Sequence, residues 1–282
     1  MKKTKLVAII ICVALVALTL SFALTACNTN QADDPNTIVV GASAYPHAEI
    51  LRSIESKLNE KGYKLVVKVF EDYVTPNTAL DEGSLNANYF QHTPYLETFN
   101  KDYKTDLVAV AKVHYEPFCV YGKGVTKEQF LSQKTGRTIL IPNDGSNLTR
   151  ALLVLRDEGY ITLPDDASAE RNLTVQDIVS TNGNTIRDIE ASTLTIQLGE
   201  SDNGTIAVIN GNYAIEANYD LNDALAIEKA SGSAAQLYAN VIAVKRGHEN
   251  DPKTLALKEA LLTQEVKDFI SSTYKNAVIP VF

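Results

Sequence analysis

Short β-branched runs that alternate with amphipathic stretches predict an α/β fold for most of this chain. Residues 37–42 are continuously apolar, which is typical of a buried strand. Residues 48–58 place their apolar side chains on one helical face, and residues 64–70 return to a strand pattern. Because strands that alternate with helices usually pair in parallel, this order predicts mostly parallel sheets.

The remaining elements follow from the same patterns. No internal repeat interrupts the alternation, and Asn-Gly pairs such as 182–183 mark turns between elements. Further strands are predicted at 107–111, 138–141, 205–209 and 238–244, and helices at 93–103, 127–133, 147–158 and 254–274.

The composition is that of an acidic globular protein. Of the 282 residues, 45% are hydrophobic and 21% are charged. Lys2, Lys3 and Lys5 are the only charged residues before residue 27, which leaves 23 bases against 34 acids in the rest of the chain. Nucleic acid is not expected as a partner, because neutralising phosphates requires clustered Lys and Arg.

The first 26 residues have the organisation of a secretory signal. The early lysines precede an almost unbroken apolar run over residues 6–24. A membrane-spanning helix is the alternative, since the run approaches the ~20 residues that cross a bilayer. Leu24-Thr25-Ala26-Cys27 favours the signal, because it is similar to the lipobox of bacterial lipoproteins, in which the cysteine is acylated and becomes the first mature residue.

Cys27 is therefore predicted to anchor the mature protein to the cell membrane on its extracytoplasmic face. Residues 1–26 would be the lipoprotein signal peptide, and residues 27–36 a lipid-anchored flexible spacer. Cys12 belongs to the signal, so the exported domain keeps Cys119 as its free thiol and no intramolecular disulfide is expected.

Signatures of catalysis and of metal binding are weak. His114 and Cys119 could supply a base and a thiol nucleophile, but they would point to opposite faces of one extended segment. The four histidines are not at metal-ligand spacing, and no P-loop, complete dinucleotide loop or Gly-x-Ser-x-Gly motif occurs. These patterns favour a binding protein that needs neither metal nor cofactor over an enzyme.

One candidate binding segment is rich in aromatic residues. Residues 70–77 and 86–95 bring five rings near one chain reversal: Tyr73, Tyr89, Phe90, His92 and Tyr95. Such rings could enclose an apolar ligand tail, with the His and Tyr tips as hydrogen-bond partners. A core cluster with satisfied polar tips is the alternative interpretation.

A second candidate lies where the strand at 138–141 ends and a helix begins. Arg150 is predicted in the first turn of that helix. A helix N-terminus offers unpaired N–H groups, and an adjacent arginine adds a bidentate partner for carboxylate. The segment is thus a candidate site for a small organic anion, unless Arg150 forms a salt bridge on a solvated helix face.

These segments resemble the NlpA lipoprotein family, whose typical members are methionine-binding proteins of ABC importers. The resemblance covers residue 37 to the C-terminus. Its motifs are Phe70-Glu-Asp-Tyr-Val-Thr-Pro-Asn77, Asn86-Ala-Asn-Tyr-Phe-Gln-His-Thr-Pro-Tyr-Leu96, Glu116-Pro117, Pro142-Asn-Asp-Gly-Ser-Asn-Leu-Thr-Arg-Ala-Leu152 and Val208-Ile-Asn-Gly-Asn-Tyr-Ala214.

The resemblance implies a type II periplasmic-binding-protein fold, in which two α/β lobes enclose a ligand cleft. Lobe one would comprise residues 37–116 and 230–282, and lobe two residues 117–229. Such a protein would capture L-methionine, or a related amino acid or dipeptide, and deliver it to the permease and ATPase of an ABC transporter.

Site residues are also implied by the resemblance. Arg150 matches the arginine that pairs with the ligand carboxylate, while Asn210 and Asn240 match asparagines that bind the amino-acid head. The alternative for both asparagines is turn capping and strand-edge bonding. The pocket for the thioether side chain would be formed by Tyr73, Phe90, His92 and Tyr95.

Two segments depart from the family pattern, the residues after Glu116-Pro117 and the stretch at 197–203. Phe118 and Cys119 stand where relatives tend to have Met-Gly, so the packing near the crossover or the volume of the pocket could differ. Two other functions remain open at this point. One is a surface adhesin or scaffold lipoprotein that keeps the fold without transport, and the other is an enzyme, provided that Cys119 is reactive.

Overall fold

The computed structural model describes residues 30–229 and 232–282. The proposed signal peptide and Cys27 lie outside these residues. In the described part of the chain, no helix is both long enough and apolar enough to cross a bilayer.

Strands and helices alternate along the described chain, as predicted. The strands are β1 (Thr37–Ala42), β2 (Lys64–Val69), β3 (Ala87–His92), β4 (Leu107–Tyr115), β5 (Cys119–Gly122), β6 (Thr138–Pro142), β7 (Thr185–Ile189), β8 (Ile206–Ile209), β9 (Ala226–Ile227), β10 (Asn240–Lys245) and β11 (Ile279–Pro280). The helices are α1 (Glu49–Arg52), α2 (Glu55–Glu60), α3 (Thr75–Asp81), α4 (Thr93–Tyr103), α5 (Lys127–Ser132), α6 (Gly145–Asp157), α7 (Leu194–Glu200), α8 (Gly211–Glu216), α9 (Gly232–Leu237), α10 (Pro252–Leu261) and α11 (Gln264–Tyr274).

The strands form two separate sheets, and this arrangement confirms the predicted α/β class. The first sheet has the order β11-β4-β10-β3-β1-β2, and the second has the order β7-β6-β8-β5-β9. Among the described residues, the chain passes between the sheets twice, first between β4 and β5 and then between β9 and β10. We call these two connections the crossovers.

The prediction of mostly parallel sheets is wrong. Parallel pairing joins β1 to β2 and β3, and β6 to β7 and β8. However, β10 is antiparallel to both of its neighbours, and so is β5. These two strands directly follow the crossovers, so each enters its sheet from the side of the other sheet and runs against the strands beside it.

β3 is the main element that the sequence patterns missed. All six of its residues are buried, in a segment that we predicted as an aromatic chain reversal. Because successive side chains of a strand point to opposite faces, Tyr89 is separated from Phe90. Tyr89 packs instead against His47 and His114, with ring centroids 4.8 Å and 5.4 Å apart.

Two predicted helices are interrupted. The helix expected at 48–58 is divided into α1 and α2 by a turn at Ser53 and Ile54, after an irregular helical turn over Ala44–Ala48. The helix expected at 254–274 consists of α10 and α11, which are separated at Leu262 and Thr263.

Separate apolar cores stabilise the two sheets, and a third cluster joins them. The core of the first sheet includes Ile38, Tyr89 and Ile242, whereas that of the second includes Ile139 and Leu152. The third cluster combines residues from both sides of the crossovers: Tyr73, Phe90, Tyr95, Phe99, Cys119, Tyr121, Leu140, Ile209 and Tyr213. The two lobes are therefore in direct apolar contact near the crossovers.

The described part of the predicted spacer is docked on the first lobe. Residues 31–33 form a short helical turn in which Ala32 is only 6% exposed. The carbonyl oxygen of Ala32 accepts hydrogen bonds from Asn86 Nδ2 at 2.9 Å and from Lys253 Nζ at 2.7 Å. Ala32 is small and apolar, and its carbonyl oxygen finds two donors, so this otherwise polar segment packs against the first lobe. The polar composition of the segment had predicted a flexible spacer instead.

Candidate functional site

A small cavity with about 30 Å³ of free space lies between the two sheets. All seven residues that the family resemblance implied for a ligand line it, whereas Tyr89, the fifth ring of the aromatic segment, does not. The complete lining is Tyr73, Phe90, Gln91, His92, Tyr95, Glu116, Phe118, Asn147, Arg150, Asn210, Gly211, Asn212 and Asn240.

The aromatic side of the cavity is built by the end of β3 and the start of α4. Tyr73 lies with its ring centroid 5.9 Å from that of Phe90 and 5.7 Å from that of Tyr95. Tyr213, from the second lobe, stacks on Tyr73 at 5.1 Å. The Tyr95 hydroxyl donates to the Tyr73 carbonyl oxygen at 2.9 Å. The rings therefore line the cavity while this polar tip is satisfied by the protein itself.

His92 caps α4 and contacts the other lobe. Its Nδ1 accepts the backbone N–H of Tyr95 at 3.2 Å, so Nε2 carries the proton and donates to Asn147 Oδ1 at 3.0 Å. Burial, together with the positive charge of Arg150, lowers the pKa of His92 to about 4. At neutral pH, His92 is thus an uncharged hydrogen-bonding residue that joins β3 to α6.

Arg150 is deeply buried on α6, with 3% of its surface exposed. Its Nε donates to Glu228 Oε1 at 2.8 Å and to Oε2 at 3.0 Å, and its Nη2 donates to the Glu116 carbonyl oxygen at 2.7 Å. Among the described residues, Nη1 has no hydrogen-bond acceptor. Arg150 thus forms a salt bridge, as the alternative interpretation had it, but the pair is buried instead of lying on a solvated helix face, and it occupies one edge of the guanidinium group.

Glu228 was not identified from the sequence, because nothing local marks its partnership with a residue 78 positions away. It also accepts hydrogen bonds from Tyr115 Oη at 2.6 Å and from the Phe118 backbone N–H at 3.1 Å. Burial alone would raise the pKa of Glu228, but the charge and hydrogen bonds of Arg150 outweigh it and lower the pKa below its usual value. Both members of this pair are therefore charged.

Phe118 forms part of the cavity wall. The guanidinium carbon of Arg150 lies 4.1 Å from the centroid of the Phe118 ring and 4.4 Å from that of Tyr238. Stacking between two rings restrains the guanidinium group and favours its charged form. Phe118 thus contributes to the cavity wall and to the placement of Arg150.

The asparagines form the polar side of the cavity. Asn210 lies just before α8, and its Oδ1 is buried without a hydrogen-bond partner in the described part of the chain. The same holds for Nδ2 of Asn212. Unpaired buried polar atoms are costly, by ~1–3 kcal/mol each, so they indicate where a polar ligand would be stabilised.

Glu116 is a further cavity residue for which the sequence suggested no role beyond a motif match. It is 5% exposed and follows β4 directly. Its Oε1 lies 2.6 Å from His114 Nε2 and 3.5 Å from His47 Nε2. In the sequence, the only local sign of this residue was the Glu116-Pro117 pair.

In the part of the chain that the structure describes, His47, His114 and Glu116 are also the residues whose type and spacing come nearest to a metal site. Their ligand-type atoms all lie within 4.8 Å of one another. The 2.6 Å separation between His114 Nε2 and Glu116 Oε1, and the 3.0 Å separation between His47 Nε2 and Asn240 Oδ1, are hydrogen-bond distances. We therefore describe the group as a hydrogen-bond network.

Cys119 does not have the surroundings of a nucleophile. The thiol is 2% exposed and packs in the third apolar cluster. Burial raises its pKa to about 12, whereas reactive cysteines have a lowered pKa in a partly exposed, electropositive setting. The enzymatic alternative had depended on this thiol and has no support from its geometry.

Two α/β lobes that are joined by two crossovers and enclose a small-molecule cavity define a type II periplasmic binding protein. The sequence comparison is more specific. The chain belongs to the NlpA lipoprotein family, whose model matches residues 38–282.

Relatives in this family share nearly the whole chain. The methionine-binding lipoprotein MetQ of Bacillus subtilis is 40% identical over 274 residues, which cover 94% of this chain and 97% of that protein. The membrane lipoprotein TpN32 of Treponema pallidum is 34% identical over 262 residues, which cover 92% of each.

Solved structures give the same result. A putative lipoprotein from Ruminococcus gnavus matches with a TM-score of 0.81 and 45% identity, covering 88% of this chain and 100% of that one. A nutrient binding protein from Burkholderia cenocepacia, bound to methionine, matches with a TM-score of 0.78 and 35% identity, covering 87% and 100%.

Proposed function

We propose that this protein captures methionine, or a close analogue, and delivers it to the permease of an ABC transporter. The observation that carries the proposal is the convergence of seven residues on one cavity between the sheets: Tyr73, Phe90, His92, Tyr95, Arg150, Asn210 and Asn240. The name of the Bacillus subtilis relative and the methionine in the Burkholderia cenocepacia structure support the choice of ligand.

The two sides of the cavity suit the two ends of the ligand. The thioether chain would lie among Tyr73, Phe90 and Tyr95, since sulfur-aromatic contacts are worth ~0.3–1.5 kcal/mol each. The amino-acid head would lie among Arg150 and the asparagines. Because Glu228 occupies one edge of the guanidinium, we assign the ligand carboxylate to Arg150 Nη1 and Asn212 Nδ2.

Contacts across the cleft suggest how the ligand is enclosed. The Tyr73 hydroxyl donates to Asn212 Oδ1 at 2.6 Å, and the Tyr213 hydroxyl donates to the Glu71 carbonyl oxygen at 2.9 Å. In our proposal lobe one, residues 37–116 and 230–282, and lobe two, residues 117–229, separate and close by bending at the crossovers. No covalent chemistry is required for this cycle.

Membrane attachment completes the proposal. Acylation of Cys27 would hold the protein on the extracytoplasmic face of the cell membrane, where the permease and its ATPase partner receive the ligand. Relatives named as membrane lipoproteins support this location. Mass spectrometry of the full-length protein from its membrane fraction would measure the acyl mass on Cys27.

Isothermal titration of the soluble domain, residues 28–282, tests the ligand. The protein is first unfolded and refolded to remove any retained ligand, and L-methionine is then expected to bind saturably. Arg150→Ala should abolish this binding. Arg156→Ala is the matched control, because Arg156 lies on the same helix but its side chain is 37% exposed. Circular dichroism confirms that each variant is folded.

A failure to bind would be equally informative. If the refolded domain binds neither methionine, nor its dipeptides, nor any other apolar amino acid, the proposal is contradicted. A surface adhesin or scaffold lipoprotein that has kept the fold would then be the remaining interpretation.

A further inference from the structure

The buried network behind the cavity has a role that the proposed function does not yet include. We propose that Glu116 recognises the ammonium group of the ligand, and that His114, supported by Tyr89, positions the Glu116 carboxylate for this contact. The inference rests on the proposed function, because it assumes an amino acid as the ligand.

One branch of the network points toward Glu116. His114 Nε2 lies 2.6 Å from Glu116 Oε1, and a nitrogen this close to a carboxylate must donate. In a neutral ring Nδ1 is then an acceptor, and it takes the hydroxyl proton of Tyr89. Tyr89 therefore determines which nitrogen of His114 carries the proton, and His114 holds one carboxylate oxygen in place.

A second branch connects the carboxylate with Asn240. His47 Nε2 lies 3.0 Å from Asn240 Oδ1 and 3.5 Å from Glu116 Oε1. Both neighbours of Nε2 are acceptors, and its contact with Asn240 is shorter than the 3.3 Å from Nδ1 to the Tyr45 carbonyl oxygen, so the single proton of the neutral ring is assigned to Nε2. Glu116 and Asn240 both line the cavity, so this branch holds two acceptors of one wall in a fixed relationship.

The backbone opposite Glu116 leaves room for the carboxylate. A Cβ atom at Gly211 would lie 2.7 Å from Glu116 Cβ and 2.8 Å from its Oε2. Both distances are shorter than non-bonded contacts allow, so a larger residue at position 211 would displace the acid. The backbone N–H of Asn212 also stabilises the charged form of Glu116.

Charge in the network resides on Glu116. Burial raises its pKa to about 7, although His47, Arg150 and the Asn212 N–H act in the opposite direction. Burial also lowers the pKa of His47 to about 4 and that of His114 to about 3, so both histidines are neutral donors at physiological pH. An ammonium ion provides the buried carboxylate with the counter-charge that it otherwise lacks.

The other groups that face Glu116 do not compete for this role. Burial raises the pKa of Tyr73, Tyr89 and Tyr274, so their hydroxyls stay protonated. The charge of Arg150 is balanced by Glu228. Among the described residues that line the cavity, Glu116 is therefore the group that titrates near neutral pH.

Ligand selectivity tests the assignment directly. L-methionine and its desamino analogue, 4-(methylthio)butanoate, are titrated into the soluble domain at pH 8. A charge-assisted hydrogen bond predicts that methionine binds about 10- to 100-fold more tightly than the analogue. Glu116→Gln should remove most of this preference by weakening methionine alone. His248→Gln, which changes an exposed histidine, should leave the preference unchanged.

The pH dependence of methionine binding separates the proposed contact from a purely structural role of Glu116, because a structural role would not make the affinity depend on its ionisation. The affinity for methionine should rise about tenfold per pH unit up to about pH 7 and then level off, because binding the ammonium requires ionised Glu116. The analogue should bind no better as the pH rises. His114→Gln and Tyr89→Phe weaken the donor to the carboxylate, so each should move the midpoint to a higher pH.

Two results would overturn the inference while leaving methionine binding intact. One is a wild-type affinity for methionine that does not change between pH 5.5 and 8.5. The other is a Glu116→Gln variant that weakens both ligands equally. A wild-type domain that does not bind methionine at all would instead contradict the proposed function and this inference together.

Discussion

Arg150 and Glu228 form a buried ion pair that joins α6 to the second crossover. Glu228 also receives the Tyr115 hydroxyl and the Phe118 N–H, which belong to the end of β4 and the first crossover. One carboxylate thus contacts both connections between the lobes as well as the arginine that lines the cavity. Arg150, which we propose to bind the ligand carboxylate, is therefore linked through Glu228 to the two crossovers that bend when the lobes move.

Removing one member of this pair should be more harmful than removing both. Glu228→Ala leaves the Arg150 charge buried without a partner, and we expect a loss of ~3–5 kcal/mol in the free energy of unfolding. The double variant Arg150→Met, Glu228→Leu should recover a large part of it, because no buried charge remains. Urea denaturation measures both values. Asp157→Ala, at an exposed ion pair, should change stability by less than ~0.5 kcal/mol.

Tyr73→Phe tests the contact across the cleft. This variant removes the hydroxyl that donates to Asn212 Oδ1 but keeps the ring that lines the cavity. A net loss of ~1 kcal/mol corresponds to an increase in Kd for methionine of about fivefold. Isothermal titration gives the value, with Tyr103→Phe at an exposed position as the control. Equal affinities in Tyr73→Phe and the wild type would show that this bond does not stabilise the closed form.

Gly211→Ala should disturb the site with little effect on the rest of the fold. The new methyl group would collide with Glu116, and displacing the acid should weaken methionine binding by tenfold or more. Gly199→Ala is the matched control, since a Cβ at Gly199 meets no atom within 4 Å. Comparison of Kd and of the urea midpoint separates a local effect from unfolding. An unchanged Kd in Gly211→Ala would contradict the close packing of these two residues.

Stability should fall as the pH is lowered from about 6.5 to about 4. The pKa of His92 falls from 6.5 to about 4 on folding, so in this range the unfolded chain binds a proton that the folded chain does not. Each such histidine contributes a slope of up to ~1.4 kcal/mol per pH unit. His92→Asn should make the dependence less steep, as measured by urea unfolding at several pH values, whereas His248→Asn at an exposed site should not. A parallel profile in His92→Asn would exclude a neutral buried His92.

Elements with simple apolar periodicity could be predicted from the sequence. β1 and α4 have the boundaries that the pattern indicated, Thr37–Ala42 and Thr93–Tyr103. β3 was missed because Asn88, Gln91 and His92 are polar although they are buried. Asn88 and Gln91 both donate to Asn77 Oδ1 at 2.7 Å, and only the tertiary structure supplies that partner.

The same limit applies to the candidate site. Arg150 could be identified because a helix start after a strand is a local pattern, but the predicted position in the first turn is wrong: α6 begins at Gly145, so Arg150 lies in its second turn. Its partner Glu228 and the acid Glu116 could not, because their environment is set by residues that are distant in sequence. The sequence therefore indicated seven of the residues that line the cavity, but not the others, and not which of their polar groups are already engaged.

The docked turn at residues 31–33 has a mechanical consequence. Asn240, at the start of β10, lines the cavity, whereas Lys245, at its other end, lies beside Ala32 and Lys253. With the acyl chains that we propose on Cys27, the three residues up to Asn30 allow a reach of only ~10 Å. Lobe one would then be the stationary body near the bilayer, and lobe two the part that swings. The search for the permease would become diffusion in a plane, with the orientation of the binding protein already restricted before the two meet.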